Sequence, residues 1–303
     1  MTNASNSPAP KRGLIYLIMA IVARLPLGLS RGIGRTIGRL LWLCNSREAK
    51  VTRRNLAMCF PDMPEEERLK LARQSLQETG VMLMETPAVW MQDMEWLRAK
   101  VIETEGCELV EEALAKGKGM ILIAPHLGNW EVVGLYAATL GPITSLFEPP
   151  KNAEVGAIIQ ESREKSGATL VPTDRRGVMK LLKAIKAGGI SGILPDQVPD
   201  DGAGELVEFF GRPAYTMTLL CNLISKTGCE ALVSYAERIP GGFKLVFKKP
   251  CSELYNEDCD ESLRALNRSV EDAIKEIPSQ YQWEYKRYKC FEEGYQDPYT
   301  QLT

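Results

Sequence analysis

Short apolar runs alternate with segments of helical periodicity over residues 120–195, and this alternation constrains the fold more than any other feature of the chain. The runs predict strands at 120–124, 143–147, 168–172 and 191–195. The segments between them predict helices at 129–139, 152–166 and 176–187. Such alternation favours an α/β fold, with a largely parallel sheet flanked by helices and ligands bound at the carboxyl ends of the strands.

The sequence on either side of this region predicts further elements of the same domain. Residues 46–91 have helical periodicity, 229–250 form a hairpin around a Pro-Gly-Gly turn, and 260–276 form a helix. We therefore expect two parts: an N-terminal membrane-anchoring helical segment at 1–45 and an α/β domain at 46–303.

The charge of the chain is unevenly distributed. Residues 1–60 contain ten Lys and Arg residues against one acidic residue, Glu48, although the whole chain has a net charge of −2. A basic block of this kind favours nucleic acid or anionic lipid as a partner. Apolar residues are interleaved with the charges and no nucleic-acid-binding module is present, so the pattern favours a membrane over nucleic acid.

The apolar stretch at 13–23 is shorter than the roughly 20 residues that span a bilayer as a helix. With Arg24 at the interface, residues 13–29 approach the lower limit, so both a spanning and an interfacial segment stay open. Three arginines at i, i+4 and i+8 then share one helical face, which is typical of a helix at a membrane surface: Arg31, Arg35 and Arg39. Four glycines at 28, 32, 34 and 38 predict close packing of this helix on another.

The eight cysteines contain no C-x-x-C pair, and the chain has one histidine. These counts exclude a Cys/His zinc motif and favour reduced thiols in a cytoplasm-facing protein. We expect neither a metal nor a cofactor.

The single histidine, His126, follows the predicted strand 120–124 in the sequence IAPHLGNWE. Gly128 allows a sharp bend, and Asn129 is a suitable N-cap for the next helix. Glu131 then lies in the first helical turn, where it can bend back to orient the imidazole. A neutral imidazole held in this way can act as a general base on a hydroxyl that attacks a carbonyl. The alternative is a buried histidine with only a structural role.

Several blocks of the sequence resemble the bacterial lipid A biosynthesis acyltransferases, the late lauroyl and myristoyl transferases, within the wider group of H-x4-D/E lipid acyltransferases. The blocks are HLGNWE (126–131), RRNLAMCFPDMPEEE (53–67), LPDQVP (194–199), FFGRPAYTMT (209–218) and PSQYQWEYKRYK (278–289). They are distributed from about residue 50 to the C-terminus, so the resemblance covers nearly the whole chain.

This resemblance implies acyl transfer from an acyl-carrier-protein thioester to a hydroxyl of a lipid A precursor, at the cytoplasmic face of the bacterial inner membrane. It implies that His126 is the base and Glu131 its partner. For substrate binding it implies Arg163, with a solvated helix arginine as the alternative. Further candidates for substrate binding are Asp196 and Gln197, just after a predicted strand, and Gly128 and Asn129 in the bend. Asp196 and Gln197 are equally well explained as structural hydrogen-bonding residues. This chain departs from the family at Phe147-Glu148-Pro149, where many members have Arg in place of Glu148.

The sequence leaves other functions open. One alternative is an acyltransferase of the same mechanism that acts on another membrane lipid or uses acyl-CoA. Another alternative is a non-catalytic relative that binds lipid or carrier. An apolar groove for the acyl chain is expected along residues 82–94 or 214–226. Lys180, Lys183 and Lys186 are a candidate surface for an acidic carrier protein, with an ordinary solvated helix face as the alternative.

Overall fold

A computed structural model describes residues 13–290 and 295–302 of the chain. The described residues form eleven α-helices: α1 (Leu14–Val22), α2 (Leu27–Leu43), α3 (Arg47–Cys59), α4 (Glu65–Met91), α5 (Met94–Lys100), α6 (Cys107–Ala115), α7 (Trp130–Ala137), α8 (Ala153–Lys165), α9 (Arg175–Lys186), α10 (Leu219–Thr227) and α11 (Cys259–Glu276). They also form nine strands: β1 (Val101–Glu105), β2 (Met120–Ile123), β3 (Thr144–Leu146), β4 (Thr169–Val171), β5 (Ile190–Ile193), β6 (Gly204–Phe209), β7 (Arg212–Met217), β8 (Glu230–Ile239) and β9 (Gly242–Lys248). Every element predicted between 120 and 195 is present, with its ends within two residues of the prediction.

The central sheet is mostly parallel, as the alternation predicted. Its strand order is β1-β9-β8-β2-β5. Strand β2 pairs in parallel with β5 and β8, β1 pairs in parallel with β9, and β8 and β9 form the predicted antiparallel hairpin. Strand β1 was not predicted because it is polar: four of its five residues are exposed, so it lacks an apolar run.

Strand β2 lies in the middle of the core and is buried on both faces. Met120 and Leu122 contact the cluster that packs under α5, α6 and α7. Ile121 and Ile123 contact the cluster that includes α3, α9, α10 and α11. A strand with helices on both faces needs a continuous apolar run rather than an alternating one, which is what MILI provides.

Helices α2 and α4 pack closely at two glycines of α2. A Cβ atom added to Gly38 would lie 2.1 Å from the carbonyl oxygen of Leu76, and one added to Gly34 would lie 2.5 Å from that of Gly80. The prediction of close packing is therefore confirmed for these two. It is wrong for Gly28 and Gly32, where an added Cβ meets no atom within 4 Å.

The expected membrane anchor at 1–45 stays a prediction, and its first twelve residues lie outside those that the structure describes. Among residues 13–290 and 295–302, no single helix has the length and apolar composition to span a bilayer; only α1 and α2 taken together do, and they bend by 117°.

The prediction for Arg31 is wrong. Its side chain is buried, with Nε 2.9 Å from Oε2 of Glu85 on α4, whereas Arg35 and Arg39 are exposed. The guanidinium of Arg31 also donates to the carbonyls of Ile239 and Gly242 at 2.7 and 2.9 Å. Such pairing is what a buried charge requires, so this arginine faces the protein and not a lipid surface.

Candidate active site

His126 and Asp196 meet at the carboxyl edge of the sheet because of the register between β2 and β5. These neighbouring parallel strands pair Ile123 with Ile193 at their last residues. His126 lies three residues beyond Ile123, and Asp196 lies three residues beyond Ile193. Two chains that leave adjacent parallel strands at the same level therefore bring these side chains together.

The carboxylate of Asp196 holds His126 at two points. Its Oδ1 lies 2.9 Å from Nδ1 of the ring, and its Oδ2 accepts the backbone N–H of His126 at 2.9 Å. Burial by itself raises the pKa of Asp196, but the charge of His126 and these hydrogen bonds outweigh it, so the pKa is lowered. Asp196 is therefore a buried carboxylate that stays ionised beside the imidazole.

The expected partner of the ring was Glu131, and the structure corrects this: Nδ1 contacts Asp196. The local geometry at Glu131 is nevertheless as predicted. Gly128 has a φ of +61°, the side chain of Asn129 accepts the N–H of Val132, and Glu131 lies in the first turn of α7. A partner 70 residues away reaches the ring because strand register, and not sequence proximity, sets the distance.

Glu131 instead pairs with Arg163 of α8. Nη2 of Arg163 lies 3.1 Å from Oε1 and 3.4 Å from Oε2 of this carboxylate. The guanidinium also lies over the ring of Phe147, 5.5 Å from its centroid. The structure thus brings Arg163 into the neighbourhood of the histidine loop, held by an ion pair whose carboxylate is largely buried.

A buried network of charged side chains around Glu85 holds the bend at Gly128. Glu85, which is fully buried, accepts from Arg31, from Nε of Arg238 at 2.5 Å, and from Nδ2 of Asn129 at 2.9 Å. Arg238 also donates to the carbonyl of Gly128 at 2.8 Å. The amide of Asn129 and the carbonyl of Gly128 are therefore engaged by the protein itself. Sequence reasoning missed this network, although a glutamate in the apolar run around 81–90 is a signal for a buried partner.

A cavity of about 450 Å³ lies next to this loop. Its apolar wall comes from α1, α4 and α8, with Met19, Met82, Trp90 and Val155 among its members, and Trp130 and Glu131 close it at the start of α7. The ring centroid of His126 lies 4.7 Å from that of Trp130. The side chain of His126 is 11% exposed. The groove expected along 82–94 is thus present at 82–90, whereas α10 buries its apolar side chains in the core instead.

Comparison with known proteins assigns the chain to a family. Residues 4–290 match the family model described as bacterial lipid A biosynthesis acyltransferase. The chain belongs to this family. It is therefore an acyltransferase, and the enzyme class expected from the sequence is confirmed.

Curated relatives of this acyltransferase match it over most of their length. An Escherichia coli (strain K12) protein named lipid A biosynthesis lauroyltransferase is 25% identical over 291 residues, which cover 94% of each chain. The lipid A biosynthesis palmitoleoyltransferase of the same organism is 23% identical over 90% of this chain and 89% of its own. A Haemophilus influenzae lipid A biosynthesis acyltransferase is 26% identical over 89% of this chain and 84% of its own.

The structure also shows the contacts of two other residues noted in the sequence, Gln197 and Glu148. Gln197, next to Asp196, donates from Nε2 to Oε1 of Gln282 at 2.9 Å. Glu148 is exposed, and its carboxylate accepts from the hydroxyl of Thr173. The charge reversal at Glu148 thus lies on the surface and not against the imidazole.

Proposed function

We propose that this acyltransferase moves a fatty acyl group from an acyl-carrier-protein thioester to a hydroxyl of a lipid A precursor, in late acylation during lipopolysaccharide biosynthesis. The observation that carries the proposal is the His126–Asp196 pair at the carboxyl edge of the sheet, next to an apolar cavity of about 450 Å³. The names of the relatives, all of them lipid A biosynthesis enzymes, support the choice of acceptor. The H-x4-E spacing from His126 to Glu131 supports a place among the wider H-x4-D/E acyltransferases.

His126 acts as the general base in this proposal. Because Nδ1 faces Asp196, the proton on that nitrogen is held by the carboxylate and Nε2 is left to accept the proton of the acceptor hydroxyl. The hydroxyl oxygen attacks the thioester carbonyl and a C–O bond forms. The C–S bond then breaks, and the proton on Nε2 passes to the leaving thiolate, which yields an ester and a free thiol.

Glu131 and Arg163 form the second charged pair of the proposed site. The carboxylate of Glu131 holds the guanidinium of Arg163 at 3.1 Å, close to the start of α7. Arg163 is 26% exposed at its side chain, so it keeps donors for the phosphate of the acceptor or for the acyl donor. Asp196 orients the base, and Gln197, Gly128 and Asn129 shape the loop that borders the substrate.

The acceptor reaches the cavity from a membrane surface in this proposal. Large apolar side chains are exposed on α1, and the exposed fractions of Leu14, Leu17, Ile18 and Ile21 lie between 52% and 71%. Leu83 on α4 is 62% exposed and lines the cavity, as does Met19 on α1. An apolar surface that continues into a cavity fits an interfacial segment through which lipid chains enter. We place this surface on the cytoplasmic face of the inner membrane.

The acidic carrier protein docks on α9 in this proposal. This helix contains no acidic residue, and its five basic residues are exposed: Arg175, Arg176, Lys180, Lys183 and Lys186. The variant Lys180→Glu/Lys183→Glu should raise the KM for the acyl carrier protein several-fold at low salt and much less at high salt. A matched Lys118→Glu change on another exposed lysine should leave that KM unchanged.

The test of the proposed function is the lipid A of a deletion strain, measured by mass spectrometry. We expect one secondary acyl chain to be missing, to return with the wild-type chain and with Lys118→Ala, and to stay missing with His126→Ala. A complete lipid A together with an altered phospholipid set would favour transfer to another membrane lipid. If His126→Ala fully restores the missing acyl chain, the protein is better explained as a non-catalytic lipid binder. If the purified protein is active with acyl-CoA but not with an acyl carrier protein thioester, acyl-CoA is the donor.

A further inference from the structure

The cavity lined by Gly128 and Trp130 also has polar side chains in its wall, and Glu284 is one of them. The C-terminal segment that carries this residue runs alongside the histidine loop: the N–H of Gly128 donates to the carbonyl of Gln280 at 3.0 Å, and the N–H of Gln282 donates to the carbonyl of His126 at 3.1 Å. Glu284 follows two residues later and lines the cavity together with Thr79. A carboxyl group is thus built into the wall of an otherwise largely apolar pocket.

One oxygen of this carboxyl is buried without a partner. Oε2 of Glu284 is shielded from solvent and makes no hydrogen bond within residues 13–290 and 295–302. Burial raises the pKa of Glu284, and the opposing effects of its hydrogen bonds and of His126 and Arg238 are smaller. The protonated form that burial favours has one O–H donor and one accepting oxygen. An unpartnered oxygen on a carboxyl that lines a cavity is a candidate hydrogen-bond partner for a ligand bound there.

The charges around Glu284 disfavour an anionic ligand at this part of the wall. Among the described residues that line the cavity, only Arg238 is basic, and its donors already serve Glu85, the carbonyl of Gly128 and the side chain of Gln280. Glu78, a further carboxyl in the wall, lies 3.6 Å from the same guanidinium. A phosphate placed here would meet carboxyl groups and no unused cation, whereas a neutral hydroxyl or amide would find both a donor and an acceptor.

We infer that Glu284 is a specificity-determining residue for the lipid acceptor: its carboxyl hydrogen-bonds a neutral hydroxyl or amide group carried on an acyl chain that lies in this cavity. Chains that lack such a group leave the carboxyl unpaired and bind less tightly. The inference rests on the proposed acyl transfer to a lipid hydroxyl, and it assigns the phosphate of the acceptor to a location other than this cavity.

The experiment compares Glu284→Gln and Glu284→Leu in the full chain, with a lipid A precursor in detergent micelles as acceptor and an acyl carrier protein thioester as donor. Glutamine keeps a donor and an acceptor, whereas leucine removes both at similar volume. We expect Glu284→Leu to raise the acceptor KM about tenfold or more, and Glu284→Gln to stay within about threefold of the wild type. The donor KM should not change in either variant. Lys118→Ala, at an exposed lysine that does not line the cavity, is the control, and thermal unfolding confirms that each variant is folded.

The pH dependence gives a readout that a structural role would not move. Ionised Glu284 loses its donor, so the acceptor KM of the wild type should rise as the pH passes the raised pKa, whereas that of Glu284→Gln should stay level. An unchanged KM in Glu284→Leu, or an equal loss in Glu284→Gln and Glu284→Leu, overturns the inference. If the wild type transfers no acyl group, the proposed function fails separately. Calorimetric binding of the same lipid to the wild type and to Glu284→Leu then still tests the role of Glu284.

Discussion

Nδ1 of His126 lies 2.9 Å from Oδ1 of Asp196, a residue 70 positions further along the chain. Both residues lie close to the ends of paired, adjacent parallel strands, so the sheet limits where their side chains can lie. The contact with Asp196 therefore holds the imidazole of His126 in one orientation.

Asp196→Asn should lower kcat by about 10²–10⁴-fold, because an amide can donate to Nδ1 and so favour the wrong tautomer. The KM for the acceptor should change little, since Asp196 is buried behind the ring. Steady-state kinetics of the purified enzyme check this, with Lys118→Ala, at an exposed lysine, as the control. A variant Asp196→Asn that keeps wild-type kcat would show that the contact plays no part in catalysis.

The contact between His126 and Asp196 should also affect how the stability of the protein depends on acid pH. The pKa of Asp196 is lowered in the folded chain, so its carboxylate contributes stability at pH values above its unfolded pKa of about 3.9. That contribution is lost as the pH falls through the lower, folded pKa. The melting temperature of Asp196→Asn should therefore lie below that of the wild type at pH 6, and the gap should shrink below about pH 4. A gap that does not vary with pH would contradict the lowered pKa.

Glu131 and Arg163 should act as a unit. We expect Glu131→Gln and Arg163→Met each to reduce kcat/KM, and the double variant to be less impaired than the sum of the two, with a coupling of about 0.5–3 kcal/mol. The physical reason is the direct ion pair at 3.1 Å. A double-mutant cycle on kcat/KM measures the coupling. Strict additivity would mean that Glu131 acts on the imidazole or the substrate independently of Arg163.

The contact between α2 and α4 should tolerate no side chain at Gly38. In Gly38→Ala the new Cβ would meet the Leu76 carbonyl oxygen at 2.1 Å, and such overpacking costs about 1–3 kcal/mol. Gly32→Ala is the matched control on the same helix, where an added Cβ meets open space and alanine favours the helix by up to about 1 kcal/mol. Denaturant unfolding in detergent should therefore show a lower free energy of unfolding for Gly38→Ala and an equal or higher one for Gly32→Ala. Equal effects would exclude close packing at Gly38.

Glu85 should be essential for stability because it is the buried carboxylate that pairs with two buried arginines. Glu85→Ala leaves the buried guanidinium groups of Arg31 and Arg238 without their carboxylate, and loss of one partner of a buried ion pair costs about 3–5 kcal/mol. Glu66→Ala, an exposed change on the same helix, should cost less than about 1 kcal/mol. Thermal unfolding of the two variants is the comparison. A small effect in Glu85→Ala would mean that water replaces the lost carboxylate.

The sequence by itself determined the local structure of this acyltransferase. The apolar run at 120–124 predicted β2, and Gly128 and Asn129 predicted the bend and the helix start that follow His126. These features depend on the hydrogen bonding and steric limits of residues that are near one another in the chain, so they can be inferred without a fold. The role of the single histidine as a general base stays a prediction.

Only the tertiary structure decided which groups these residues meet. Glu131 is five residues from His126, yet Asp196 holds the ring, because the register of β2 against β5 determines the distance. Arg31 fits the pattern of a surface arginine, yet it is buried against Glu85. Partner choice depends on how distant segments align, and the spacing of residues along one segment carries no information about that alignment.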